Sequence, residues 1–301
     1  MAGVFVVGSI NQDFVLNVER RPAPGETVTD ARLATHNGGK GANQAAAAAL
    51  LGAGVTFLGR VGDDGFGEPL VRALADKGVD TSLVEEVPDS STGTAFITVT
   101  PDGENAITVA PGANRRLTVE DVDAASEEIG EAKVLVAQME IPPEVVRRAV
   151  EVASANETRV LVNLAPPFKV PQELLEKLDP LVLNEHEAAF LLGESVEGVE
   201  GALSAASELA NLGPRSVVVT VGEDGAVFAN GASTEHLTAP RVEVVDTTGA
   251  GDAFVGALAA RLAAEDSLED AVAYAVRAGA AAVTREGAQG ALPTPDVVED
   301  L

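Results

Sequence analysis

The stretch DTTGAGDAF, Asp246 to Phe254, sets two glycines and a carboxylate in front of an apolar-periodic run. Glycines ahead of a helix leave backbone N–H groups open to an anion, and the helix dipole favours negative charge at that end. Asp252 is therefore either a helix cap or a base beside a bound phosphate, with Gly249, Ala250 and Gly251 supplying the amides. A second glycine-rich stretch, NGGKGANQA at Asn37 to Ala45, surrounds Lys40 with glycine at the entry to an alanine-rich helix. Its glycines let a ligand approach the main chain. Asn43 on the first turn offers a donor and an acceptor to hydroxyl groups. The same residues also fit a tight turn with a helix cap.

Other polar residues fall where β-like runs end. GSINQDF closes the first run with Asn11 and Asp13, whose i, i+2 spacing points both side chains the same way. An amide beside a carboxylate grips a polyol; it also fits an Asx-turn. Glu140 in QMEIPP follows a second run, and Asn184, Glu185 and Glu187 in LNEHEAA follow a third. Asn-x-x-Glu is close to a capping box, which is the plain alternative there. VTVGEDGA, Val219 to Ala226, reads as a strand and a turn, and GDDGFG at Gly62 to Gly67 as a turn. Neither G-x-x-x-x-G-K-[ST] nor G-x-G-x-x-G after the first strand is present, which disfavours a P-loop NTPase and a common dinucleotide-binding protein. G-x-S-x-G is absent, and His36, His186 and His236 lack metal-ligand spacing.

The elements that must hold these residues alternate. Buried β-branched runs at Val4–Ile10, Val55–Leu58, Lys133–Ala137, Arg159–Leu164, Leu181–Leu183 and Ser216–Val221 read as strands. Helical patterns cover Ala42–Leu51, Gly67–Lys77, Val119–Ile129, Pro143–Ala155, Glu185–Leu192, Gly201–Leu212, Asp252–Ala264 and Leu268–Thr284. Such alternation predicts an α/β fold, a central mostly parallel sheet with helices on both faces. Two insertions, at about 13–35 and 94–110, break the pattern and predict a small antiparallel β lid. Its apolar residues, Phe96, Ile97, Val99, Ile107 and Val109, would serve both faces, one over a ligand and one against a partner chain.

Composition narrows the class further. Hydrophobic residues make up 46% of 301, enough for a large core. With 47 acidic and 20 basic residues, a net charge of −27 and 3% aromatics, a nucleic-acid partner is not expected. Lysine occurs only at Lys40, Lys77, Lys133, Lys169 and Lys177. A carboxylate-rich, lysine-poor surface suits molar salt, where the Debye length is ~3 Å and self-repulsion is screened. There is no cysteine, hence no disulfide or thiolate site. The start, MAGVFVVGSINQDF, lacks the features of a secretion signal, and no run approaches the ~20 apolar residues of a membrane span. A cytoplasmic protein without a membrane partner is expected.

Taken in order, GSINQD, PAPGETV, GGKGANQA, STGTAFI, QMEIP, NEHEA, TVGEDGA, DTTGAGDAF and VTREGAQGALP resemble the PfkB family of carbohydrate kinases over nearly the whole chain. GGKGAN and GAGD are the most specific of these. The resemblance implies a single kinase domain over residues 1–301 that transfers the γ-phosphoryl group of ATP to a small neutral sugar, D-ribose at its 5-hydroxyl. Asp252 would be the general base, with Gly249, Ala250 and Gly251 as the anion hole. The sugar would meet Asn11, Asp13, Gly39, Lys40, Gly41, Ala42, Asn43 and Glu140. The nucleotide would meet Asn184, Glu187, Thr220, Val221, Gly222, Glu223, Asp224, Gly225, Gly251, Asp252 and Val276, and Asp252 would also touch the sugar. Glu187 would order Mg²⁺ through water. A monovalent cation, K⁺, would lie among Asp246, Thr248, Ala282, Arg285, Gly287 and Ala291. Ala291 and Val276 depart from the polar residues often found at their positions, which leaves the nucleobase open. The resemblance also implies a homodimer joined through the lid. Another sugar or a nucleoside as acceptor, and a sensor that binds without turnover, remain as alternatives.

The acidic surface makes a testable demand: the protein should unfold at a higher temperature in molar KCl than in dilute buffer. Thermal melts showing no gain at high salt would refute salt adaptation.

Overall fold

In the computed structural model, which describes residues 3–102, 104–231 and 233–301, the chain starts with β1 (Val4–Val7), all four residues buried. The lid strands β2 (Asn11–Asn17) and β3 (Arg32–Gly38) follow, then α1 (Lys40–Leu50), β4 (Val55–Gly62), α2 (Gly67–Ala75) and β5 (Val79–Val87). The second lid hairpin is β6 (Gly93–Val99) and β7 (Asn105–Ala110). After it come α3 (Val119–Ala124), α4 (Ser126–Glu131), β8 (Val134–Gln138), α5 (Pro143–Ala155), β9 (Arg159–Asn163) and α6 (Gln172–Leu175). The remainder is β10 (Leu181–Asn184), α7 (Glu185–Leu192), α8 (Gly198–Ala210), β11 (Ser216–Thr220), β12 (Ala226–Asn230), β13 (Ser233–Leu237), α9 (Ala250–Ala263), α10 (Leu268–Ala282) and α11 (Pro295–Glu299).

Nine strands form the main sheet in the order β13-β12-β11-β10-β9-β8-β1-β4-β5, with every pairing parallel from β11 to β5. Its six expected strands are all present. Three more are found. β5 is an edge strand with one buried face, so its residues lack the continuous apolar run of its neighbours. The antiparallel hairpin of β12 and β13 closes the other edge. The single expected helix over Val119–Ile129 is broken at Ala125 into α3 and α4, and Thr118 caps the first piece with Asp121 in a capping box. Among the described residues no helix is long and apolar enough to cross a membrane.

Side chains of β1 alternate between two cores. Val4 and Val6 belong to the core that includes α1 and α9, whereas Phe5 and Val7 belong to the opposite core, which includes α5. The carboxyl ends of the parallel strands open on one edge, where an α/β sheet binds its ligands.

The lid is a four-stranded sheet, β3-β2-β6-β7. Its two hairpins are antiparallel as expected, but the middle pair, β2 with β6, is parallel. Both strands set out from the body in the same direction, β2 after β1 and β6 after β5, so they meet side by side. The turn at Gly62–Gly67 clamps the start of β6, because Asp64 accepts the Thr92 amide at 2.7 Å and its hydroxyl at 2.6 Å. Register places Phe14, Phe96 and Leu33 on one lid face, and Asp13, Ile97, Ile107 and Val109 on the other. Phe14 stacks on Phe96 at 5.4 Å and meets Phe66 of the body edge-on at 5.7 Å. Leu33, Phe96, Ile107 and Val109 are exposed.

Helices α1 and α9 approach closely enough that only small residues fit between them. A β-carbon on Gly256 would stand 2.4 Å from Ala47 Cβ and 2.6 Å from the Gln44 carbonyl oxygen. Alanine in a helix interior is favoured over glycine by about 1 kcal/mol, but overpacking a core costs about 1–3 kcal/mol. The obstacles here are backbone and a β-carbon, which cannot swing aside. Gly256→Ala should therefore lower Tm in calorimetry, and an equal or higher Tm would contradict this reading of the contact.

Candidate active site

Helix α9 opens at Gly249, in the left-handed region with φ 77, and carries Asp252 buried in its first turn. Both carboxylate oxygens are held by amides from α1: Asn43 Nδ2 donates to Oδ2 at 2.8 Å, and Gln44 Nε2 donates to Oδ1 at 2.9 Å. Gln44 also donates to Asn163 Oδ1 at 3.1 Å and accepts from Gln138 Nε2 at 2.7 Å. The Asp252 carboxylate thus rests on an amide relay from α1, β8 and β9. Burial pushes the Asp252 carboxyl up, against the opposing pull of Lys40, Asn43 and Gln44. A carboxylate held ionised at a raised pKa is a stronger proton acceptor.

Around it the expected sugar residues converge. Asn11 and Asp13 face inward from β2 and are buried. Asp13 lies flat across Gly38, where a β-carbon would stand 2.0 Å from its Oδ2. Glu140 Oε2 accepts from the Ser9 hydroxyl at 2.6 Å and from the Lys40 amide at 3.0 Å, at the start of α1. Gly39 and Gly41 are buried in that entry, and Gly41 packs on Gly8 and Ser9. Ala42 belongs to the core beneath, its amide donating to the Ser9 carbonyl at 2.9 Å. Burial would lower the Lys40 pKa, but Asp252, Glu140, Glu187 and Asp13 outweigh it and raise it. Asp13 is pushed up to about 7, by burial first and then by Glu140 and Asp252, with Lys40 opposing. Asp13 Oδ1 and Asn43 Oδ1 are buried without a partner.

Sequence reading missed the supports of this cluster. Asn114, in the loop after the lid, donates to Asn11 Oδ1 at 2.8 Å and pairs with the backbone of Ile10 through both amide atoms. Gln44, Gln138, Asn163 and Ser9 complete the shell. Polar residues inside apolar runs, as in GANQAAAAA and VLVN, were the available signal.

A cavity of about 500 Å³ lies at the N-terminus of α9, lined there by Ala250 and Gly251. Thr220, Gly222, Glu223, Asp224, Gly225, Gly251 and Val276 line it as expected. Val221 does not; it points into the core under α8, because it continues the alternation of β11. The segment from Ala239 to Val242 forms an unanticipated wall and brings Arg241 to the cavity. The amides of Gly249, Gly251 and Asp252 make no backbone hydrogen bond and stand ready for an anion, whereas Ala250 donates to Thr247 at a long 3.3 Å. Asn184 and Glu187 form the capping box of α7, each side chain accepting the other's amide at 2.8 Å. The capping and functional readings coexist there. Glu187 Oε2 is spent on the cap, and its charge acts on both Lys40 and Asp252.

Asp246 ties two loops. Its Oδ1 accepts the Thr248 amide at 2.9 Å and its Oδ2 the Gly287 amide at 2.8 Å. Burial would raise its pKa, but hydrogen bonds from Thr248 and Gly287 outweigh this and hold it below the ordinary range. The ionised carboxylate and the carbonyl-rich turn from Ala282 to Ala291 suit a weakly hydrated monovalent cation. Ala291, buried, has no hydroxyl to add. His186 and His236 stand apart from this cluster, and among the described residues no three His, Asp or Glu groups converge as a metal site.

The geometry has close counterparts. A ribokinase of Staphylococcus aureus (strain COL) is 38% identical over 301 residues, covering 99% of each chain. A deoxyribokinase of Salmonella typhi is 37% identical, covering 97% of this chain and 95% of its own. The structure of Arabidopsis thaliana ribokinase complexed with ribose and ATP superposes with a TM-score of 0.90 at 32% identity, covering 99% of this chain and 98% of that one. The fold is the ribokinase-like one, with its large parallel sheet and small lid. The description "pfkB family carbohydrate kinase" matches residues 1–295, and the chain belongs to that family.

Proposed function

We propose that the protein is an ATP-dependent ribokinase, converting ATP and D-ribose to ADP and D-ribose 5-phosphate. The observation that carries this reading is the pair of buried, unpartnered oxygens on Asp13 and Asn43, next to a base already aimed by two amides. Buried acceptors require donors, and the hydroxyls of a small sugar supply them. Lys40 is the cation amid Asp13, Glu140 and Asp252 at the sugar end, and Arg241 lines the nucleotide-side cavity. That composition favours a neutral sugar over a phosphorylated or acidic one.

In the reaction, Asp252 takes the proton of the 5-hydroxyl as that oxygen bonds to the γ-phosphorus. The bond from phosphorus to the β,γ-bridging oxygen breaks, and ADP leaves with its electron pair. The free amides at Gly249, Gly251 and Asp252 stabilise charge on the moving phosphoryl group. Asn43 and Gln44 keep the base from rotating away. A magnesium ion, bound with the triphosphate, supplies further charge neutralisation. The remaining oxygen of Glu187 would hold it through water. Asp246, Thr248, Ala282, Arg285, Gly287 and Ala291 would hold a potassium ion, largely through carbonyls, and so brace the anion hole. Two subunits joined through the apolar lid residues complete the proposal.

A panel of pentoses, 2-deoxyribose and nucleosides, read by ADP release with ATP and Mg²⁺, should show ribose as the best acceptor. Asp252→Asn should lower kcat by about 10²–10⁴-fold, and sodium in place of potassium at constant ionic strength should slow the wild type. Equal background rates for wild type and Asp252→Asn would instead support a sensor. For the assembly, light scattering should give twice the chain mass, reduced to one by charged replacements at Phe96 and Ile107; a wild-type monomer would dismiss the dimer.

A further inference from the structure

The turn from Arg285 to Ala291 is wedged between two parts of the site that the sequence keeps far apart. On one side stands His36, from lid strand β3. A β-carbon on Gly287 would lie 3.2 Å from His36 Nδ1 and 3.4 Å from Cε1, so the ring rests on the turn. Gly287 also has φ 85, which reserves the position for glycine. On the other side stands Gly249, the cap of α9. A β-carbon there would meet Ala288 Cα at 3.0 Å. The Gly287 amide is fixed to Asp246 Oδ2, whose partner oxygen holds the Thr248 amide. The turn therefore touches the anion hole both directly and through Asp246.

His36 belongs equally to the sugar end. It lies directly opposite Asp13 in the pairing of β2 with β3, and so shares its face. Its carbonyl accepts Gln12 Nε2 at 3.0 Å, which locks the two strands at that register. A contiguous chain of contacts thus leads from Asp13 through His36 to Gly287, Ala288 and Gly249. Close-packed contacts of this kind pass on displacement rather than absorb it.

We infer that His36 is a positioning residue that couples the sugar-binding lid to the anion hole. When a sugar draws Asp13 and the lid strands inward, His36 presses the turn against Gly249 and sets the amides of α9 for the phosphoryl group. Nucleotide-side geometry then completes itself only when the acceptor is in place, which disfavours transfer to water. The inference rests on the sugar-kinase reading above but not on the identity of the pentose.

Hydrogen–deuterium exchange on the full chain tests it, with ribose, or whichever pentose the acceptor panel selects, and no nucleotide. In wild type the sugar should slow exchange both in the lid, residues 11–38, and in residues 285–291, which hold none of its proposed direct contacts. In His36→Ala it should slow the lid alone. That variant should also lose kcat about tenfold with the KM for sugar little changed, since only transition-state contacts are misplaced. His36→Asn, which returns a polar atom near the Nδ1 position, should recover part of both effects, and it carries the comparison if the alanine variant folds poorly. Protection of all segments in His36→Ala, or of the lid alone in wild type, would overturn the coupling while leaving the kinase reading intact. A wild type that no pentose protects anywhere would overturn both.

Discussion

Asp252 occupies a place where a carboxylate is costly to ionise. It is buried, at the junction of two helices, and its neighbours include other carboxylates. Two side-chain amides fix its direction and, with the Lys40 charge and the positive end of α9, oppose the upward push of burial on its pKa. Much of the surrounding structure answers to that requirement. Asn43 and Gln44 reach it only because α1 lies against α9, and α1 lies there only because alanine and glycine line the contact. Gln44 is itself oriented by Gln138 and Asn163, at the carboxyl ends of β8 and β9. The parallel sheet thereby acts as the plate on which the base is mounted.

The same cluster explains why the site is expensive to fold and suited to its ligands. Asp13, Glu140, Glu187 and Asp252 share a single lysine as their common cation. Burial, with repulsion from Glu140 and Asp252, pushes Asp13 up to about 7. Under the proposed function, sugar hydroxyls would satisfy the orphan oxygens of Asp13 and Asn43 and convert an unfavourable burial into a set of hydrogen bonds. The proposed triphosphate would add its negative charge on the other side of Asp252, at the cavity that Gly251 lines. On this proposal the two ligands would be received by different chemistry, side-chain acceptors for the sugar and main-chain donors for the phosphate.

Much of this was legible in the sequence because it obeys local rules. Buried β-branched runs gave the central strands, and glycine clusters marked both helix entries. Asn184 and Glu187 were readable as a capping box and are one, while their charge also serves the site. What escaped depends on contacts between distant segments. Asn114 meets Asn11 from a loop 103 residues away, and no local pattern announces it. Gln44 looks like an interruption of an alanine helix until α9 is packed beside it. Val221 falls inside a glycine-rich run but follows the alternation of β11 into the core. The parallel pairing of β2 with β6 follows from where each strand leaves the body, which hairpin-like patterns cannot express.

The central claim is geometric: one carboxylate, held by Asn43 and Gln44, faces the acceptor hydroxyl while the amides ahead of it face the γ-phosphate. A crystal structure with ribose and a nonhydrolysable ATP analogue examines it most directly. The account predicts an Asp252 oxygen within about 2.6–3.2 Å of the 5-hydroxyl, with both amide contacts retained and the terminal phosphate seated at Gly249 to Asp252. A carboxylate turned away from that hydroxyl, or a terminal phosphate distant from the helix tip, would contradict it.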